Sequence, residues 1–297
     1  YAMTSSLVGS EMCIRDRATI NEHGAELVSL INKTNGKEYM WSGDAKYWGR
    51  HAPVLFPTVG RLKDDTYTVD GQEYHMNQHG FARDMDFDVL KVEADQVIFE
   101  LHSSDQTKKL YPYDFILRLA FKLTDNGVQV GYEVENPADE EMWFGIGGHP
   151  AFKVPMDGDH FYDDYVVKLE PQTARNIIPL NGPYADIDHL KEERTSEIEV
   201  SHERFKDDAV ILDLGEEPTT ITLTDNDQRH GVQLKTADAK YVGVWSCYPQ
   251  EGQYVCLEPW WSIADTVDSD QDFKHKFANN HLTAHQTFKT EYEIDVF

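Results

Sequence analysis

The chain of 297 residues carries 27 basic against 53 acidic side chains, a formal charge of -26. That excess repels phosphate backbones and anionic lipid surfaces, so neither nucleic acid nor membrane is an expected partner, and a small neutral or cationic molecule suits the field better. Hydrophobic residues at 40% and aromatics at 12% supply a sizeable core and exclude a disordered chain, and no apolar run reaches the length of a membrane-spanning helix.

Residues 1–17 stand apart from the rest of the chain. Ser5 to Arg17 shows neither a strand or helix period nor turn chemistry, resembles a translated sequencing-library adapter, and reads as a non-native leader that replaces the usual first strand. From Ala18 onward, short β-like runs alternate with turn signals. Leu27–Ile31 and Glu38–Trp41 bracket Asn35-Gly36. Tyr67–Val69 and Gln72–Tyr74 bracket Asp70-Gly71, a strong two-residue hairpin signal because both central positions tolerate positive φ. Phe115–Phe121 and Val128–Val134 bracket Asn126-Gly127, and further runs cover Val210–Leu212, Ile221–Leu223, Val242–Trp245, Tyr254–Leu257 and Phe288–Val296. Helical periodicity is scarce, with one short helix expected over Asp188–Arg194. No Gly/Ser/Pro-rich linker divides the chain, so residues 18–297 are expected to form one all-β domain of two large packed antiparallel sheets.

Cys13, Cys247 and Cys256 give neither a disulfide framework nor a CxxC metal spacing, which points to a reducing, cytoplasmic setting. Cys247 and Cys256 flank the loop Tyr248–Gln253 and are expected as reduced core thiols near one another across a ladder. The acidic loops Asp157-Gly158-Asp159 and Asp268–Asp272 lack the spacing of a calcium loop and read as solvated surface.

Four stretches join ionisable groups to tight turns. Leu55–Leu62 presents Arg61 after a glycine; Gln78–Asp84 places His79 beside Gly80 and Arg83 four residues on. Gly145-Ile146-Gly147-Gly148-His149-Pro150-Ala151-Phe152 carries one histidine at a glycine-rich bend, and Leu257–Ser262 ends an apolar strand on Glu258 before Pro259, Trp260 and Trp261. Taken singly, each fits a structural role as well as a functional one: a surface arginine, a turn histidine with Arg83 on Asp84 or Asp86, a bulge, a paired core glutamate. Desolvation raises a glutamate toward the range of a general base, and indole faces suit the C–H face of a sugar ring.

Together the stretches resemble the aldose 1-epimerase (galactose mutarotase) family, and within it a LacX-like bacterial branch. The marks are Tyr47–Pro57 running into Gly60-Arg61-Leu62, then Gln78–Arg83, Gly148–Phe152, Asp208–Ile211 and Glu258-Pro259-Trp260, spread over Ala18 to Phe297. The resemblance implies a large antiparallel β-supersandwich with an open cleft on one sheet, and an isomerase that opens the pyranose ring by acid/base catalysis without cofactor or metal. It implies Glu258 as base at the anomeric hydroxyl and His149 as acid at the ring oxygen, a sugar ring apart. It implies His79, Arg61, Arg83, Asp208 and Trp260 as binders of the sugar, with Asp207 a rival to Asp208. Ser262 departs from the glycine expected there. Three other readings stay open: a hexose-6-phosphate 1-epimerase with Arg61, Arg83 and Lys63 as an anion clamp, a non-catalytic carbohydrate-binding protein, and a metal site of His79, His149 and Glu258. Oligomeric state is not legible.

Overall fold

The structure, a computed structural model, describes residues 11–14, 18–193 and 197–297. Helix among the described residues is confined to six short 3-10 segments, and the ladders between strands are antiparallel. A nine-stranded sheet runs from Glu197–Glu199 at one edge to Asp88–Val92 at the other, with Thr287–Val296 and Gly127–Glu135 at its centre. An eight-stranded sheet orders Lys191–Glu193, Arg175–Ile178, Val210–Asp213, Tyr241–Trp245, Tyr254–Trp260, Gly147–Gly148 and Val54–Leu55, with Ala151–Lys153 paired to Tyr254–Trp260. One buried apolar cluster joins Phe99, Leu119, Val130, Leu223 and Ile294 of the first sheet to Val242, Val244, Val255 and Leu257 of the second. The two sheets therefore face each other across a common core, the β-supersandwich expected from the sequence.

Side chains alternate across a strand, and that alternation separates core from site. Every residue of Tyr254–Trp260 is buried. Val255 and Leu257 point into the core between the sheets, whereas Cys256 and Trp260 belong to two smaller apolar clusters and Glu258 lines a cavity. Gly148 faces inward as well: a Cβ there would sit 2.8 Å from the Tyr132 hydroxyl and 2.9 Å from that of Tyr292, on the opposing sheet. Its neighbour His149 is thereby turned outward.

The hairpin signal at Asp70-Gly71 joins strands Thr66–Val69 and Gln72–His75, with φ of 51° and 78° at the two turn residues. Over residues 188–193, the described part of the expected Asp188–Arg194 helix, that helix is not formed. A 3-10 turn at Ile187–His189 leads into strand Lys191–Glu193, which pairs with Arg175–Ile177; sheet pairing outweighs the weak local preference. Cys247 and Cys256 are free and buried, but the ladder places Trp245 opposite Cys256, with Cys247 beyond the strand end. Of residues 1–17, only Glu11–Ile14 are described, paired with Ala18–Asn21, so the leader falls mostly outside the described residues.

The stretch Gln78–Arg83 docks on Phe56–Gly60: the Phe81 and Ala82 amides donate to the Phe56 carbonyl (3.0 and 3.2 Å), and the His79 amide donates to that of Gly60 (2.8 Å). Gly80 makes the approach possible, because its φ is +73° and a Cβ would overlap the Phe56 carbonyl. Gly80→Ala should therefore lower stability by about 1–2 kcal/mol from backbone conformation alone, with the overlap adding to it; a melting temperature within error of wild type would show the contact to be slack.

Candidate active site

The register of the eight-stranded sheet brings the two expected proton-transfer residues together. Gly147 pairs with Trp260 and Ala151 with Cys256, and the same register continued through the bend sets His149 opposite Glu258. Their side chains touch, Nε2 to Oε2 at 3.2 Å, at 8% and 2% exposure. They sit in a cavity of about 390 Å³ whose lining includes Trp48, Arg50, Gln78, His79, Arg83, Asp208, Trp245 and Trp260.

Aromatic rings fix the imidazole. Trp48 stacks on His149 with centroids 4.8 Å apart and planes at 27°, while Trp245 and His79 meet it edge-on, both at 5.6 Å. His79, at φ 68°, accepts a hydrogen bond from the Gly60 amide on Nδ1 (3.1 Å), which leaves the proton of its neutral ring on Nε2. Burial, with His149, Arg83 and Arg50 nearby, holds His79 well below the ordinary imidazole range. Trp260 presents its indole to the cavity beside Glu258, whose carboxyl it hydrogen-bonds.

Burial also decides the charge of the central pair. It pushes His149 down to about 3, the neighbouring Arg83 and Arg50 acting in the same direction. It raises Glu258 well above the carboxylate range, and the charge of Asp208 adds to this. Burial thus favours the uncharged form of the pair, with the shared proton on the carboxyl. This corrects one expectation: the two groups stand in contact and not a sugar ring apart, since the sheet register leaves no residue between them.

The remaining expected residues divide. Asp208 lines the cavity and Asp207 does not; Asp208 has φ 76° and its carboxylate accepts from the Ala209 amide at 2.8 Å. Desolvation by the surrounding cavity wall raises its carboxyl although the residue remains exposed. Arg83 also lines the cavity and donates to the Gln78 carbonyl (2.8 Å); burial and then Arg50 push its guanidinium down to about 10. Arg61 does not reach the cavity. Its guanidinium makes a bidentate pair with Asp65 (2.7 and 2.5 Å) near the surface, four residues along the chain, and Lys63 Nζ donates to the Ser269 carbonyl (3.2 Å). The expected clamp of Arg61, Arg83 and Lys63 is thus not assembled; Arg50 stands with Arg83 instead, bound to Asp84 at 2.6 Å. Trp48 and Arg50 lay inside a stretch already singled out but had no role assigned, and Trp245 carried no sequence signal of its own.

The sequence pattern that defines the Aldose 1-epimerase family matches residues 14–278. The chain belongs to the aldose 1-epimerase family. A galactose mutarotase related enzyme from Lactobacillus acidophilus is 39% identical, with 94% of each chain covered and a TM-score of 0.91. A galactose mutarotase-like protein from Lactobacillus casei is 30% identical over the whole of both chains, TM-score 0.88. The plasmid-borne protein LacX of Lactococcus lactis is 26% identical over 284 residues, 92% of this chain and 94% of that protein. Membership of this isomerase family and the shared sandwich support a mutarotase-type function.

The buried carboxyl has a consequence for stability. Above pH 4.5 the unfolded chain releases the Glu258 proton while burial makes the folded chain hold it longer, so this group makes stability fall as pH rises until the raised folded value is reached. His149 acts in the opposite sense, but only between about 3 and 6.5. Glu258→Gln should therefore gain melting temperature relative to wild type as pH rises from 6.5 to 8.5. A constant difference over that range would mean that Glu258 ionises normally.

Proposed function

We propose that the protein interconverts the α- and β-anomers of a free aldohexose by acid/base ring opening, without cofactor, within one sandwich domain over residues 18–297. The observation that carries this reading is the 3.2 Å contact of His149 Nε2 with Glu258 Oε2 on the wall of a cavity sized for a monosaccharide. Anomerisation requires O1–H to lose a proton and the ring oxygen to gain one. Both oxygens are bonded to C1, so a base and an acid side by side serve them.

Glu258 takes the O1 proton while His149 gives one to the ring oxygen; the C1–O5 bond breaks with its electrons on O5, and C1=O1 forms. Rotation about C1–C2 offers the other carbonyl face. Reclosure returns the O5 proton to His149 and the Glu258 proton to O1. Ring opening starts with the pair's proton on His149 and ends with it on Glu258, the distribution that burial favours, so the site is electrostatically matched to the opened sugar. One proton hop across the contact connects this resting distribution to the one that opens a ring. His79 Nε2–H donates to a sugar oxygen, Asp208 accepts from a distal hydroxyl, Arg83 binds hydroxyls, and Trp260 offers an apolar face. The free buried thiols accord with a cytoplasmic setting.

A second reading, a hexose-6-phosphate 1-epimerase, is favoured by one observation. Arg50 and Arg83 line the same cavity with the exposed Asp84 as the carboxylate that Arg50 bonds, which leaves Arg83 donors for a phosphate.

Anomer exchange followed by polarimetry or NMR on glucose, galactose and glucose 6-phosphate tests both. Glu258→Gln and His149→Asn should each lower kcat/KM by about 100- to 10,000-fold; full activity in both variants would refute the pair. A rate above buffer only with the phosphate, lost in Arg83→Ala, would establish the second reading. Because burial pushes His149 down to about 3, the pH–rate profile should carry no histidine step near 6.5. A bell centred near 6.5 would show a histidine titrating at its unperturbed value.

A further inference from the structure

Cys256 stands two residues before Glu258 on the same outward face of its strand, fully buried, and no step of the proposed reaction uses it. Its Sγ, a ring nitrogen of His149 and a carboxylate oxygen of Glu258 all lie within 4.8 Å of one another. His79, the second histidine weighed in the sequence for a metal set, is outside that group. We propose that Cys256, His149 and Glu258 form a site for a thiophilic divalent cation of the zinc type, and that the cation, by seizing the proton-transfer pair, reversibly blocks the enzyme. The blocking rests on the function proposed above; the binding does not.

One sulfur, one imidazole nitrogen and one carboxylate oxygen are a borderline-soft donor set, suited to zinc, cobalt(II) or cadmium and not to magnesium or calcium, which take shells of oxygen. In a tetrahedral zinc site, bonds of about 2.3 Å to sulfur and 2.0–2.1 Å to nitrogen or oxygen hold the donor atoms roughly 3.3–3.6 Å apart. The 3.2 Å between His149 Nε2 and Glu258 Oε2 is already close to this, so only the thiol has to close in. Binding releases the Cys256 and Glu258 protons to solvent, and the resulting thiolate and carboxylate balance the two positive charges while the imidazole binds as the neutral ring. The cavity leads to His149 and Glu258 and leaves a fourth coordination position for solvent or a sugar hydroxyl.

Asp157, Asp225 and His230 form a second convergent group. There the Lys37 ammonium donates to His230 Nε2 at 2.9 Å, which leaves the ring proton on the Nδ1 turned toward Asp157 at 2.9 Å, so that nitrogen has no lone pair for a metal.

Cobalt(II) titration of the purified chain, read by the near-ultraviolet thiolate-to-cobalt absorption, tests the site directly, alongside zinc inhibition of anomer exchange. One equivalent of cobalt should give the band, and zinc should displace it. Cys256→Ser should lose the band, keep its zinc-free rate, and need about tenfold more zinc for half inhibition. Cys247→Ser, which should keep the band, serves if Cys256→Ser fails to fold. No band in wild type, or a band lost with Cys247 instead, overturns the proposal, as does equal zinc sensitivity in Cys256→Ser. A chain that gives the Cys256-dependent band but turns over no sugar keeps the metal site and defeats the functional reading alone.

Discussion

An imidazole and a carboxyl placed side by side where water hardly reaches must share one proton, because two uncompensated charges are far more expensive there than a neutral contact. The His149–Glu258 pair is in that condition, and much of the surrounding structure serves to hold it so. Gly148 has no side chain because the tyrosine hydroxyls of the opposing sheet occupy the place of its Cβ. Trp48 covers one face of the imidazole, and Trp245 and His79 close its edges. Gly243, opposite Glu258 in the ladder, leaves room for the Trp260 ring, which a Cβ would meet at 2.8 Å.

The chain is strongly acidic, yet the cavity is cationic on one side, where Arg50 and Arg83 converge. Global and local charge answer different questions. The net charge governs what approaches the surface, whereas the two guanidiniums set what is held within a few ångströms of the pair, and they also help keep His149 neutral. One group of side chains thus bears on both what the cavity can hold and the proton distribution of the His149–Glu258 contact.

Much of the sandwich was legible in the sequence because its signals are local. Asp70-Gly71 specifies a hairpin through two positive φ values, and alternating burial marks both long central strands. The helix expected near Asp188 failed because Lys191–Glu193 finds a partner strand more than ten residues away, which no local pattern reveals. His149 and Glu258 were named from their motifs, but their contact depends on a register joining distant segments. Arg61 lies outside the cavity for the converse reason: Asp65, close in sequence, captures it first. Trp245 looks like any strand residue until the fold sets it against His149, and the charge state of the pair depends on burial, which only the packed chain defines.

The proton shared by His149 and Glu258 is most directly observed by 15N NMR of the histidine side chains, with His149→Asn supplying the assignment. The His149 ring should remain neutral, with one protonated and one unprotonated nitrogen, from pH 5 to pH 8. An imidazolium with both nitrogens protonated within that range would contradict the uncharged pair on which the proposed chemistry depends.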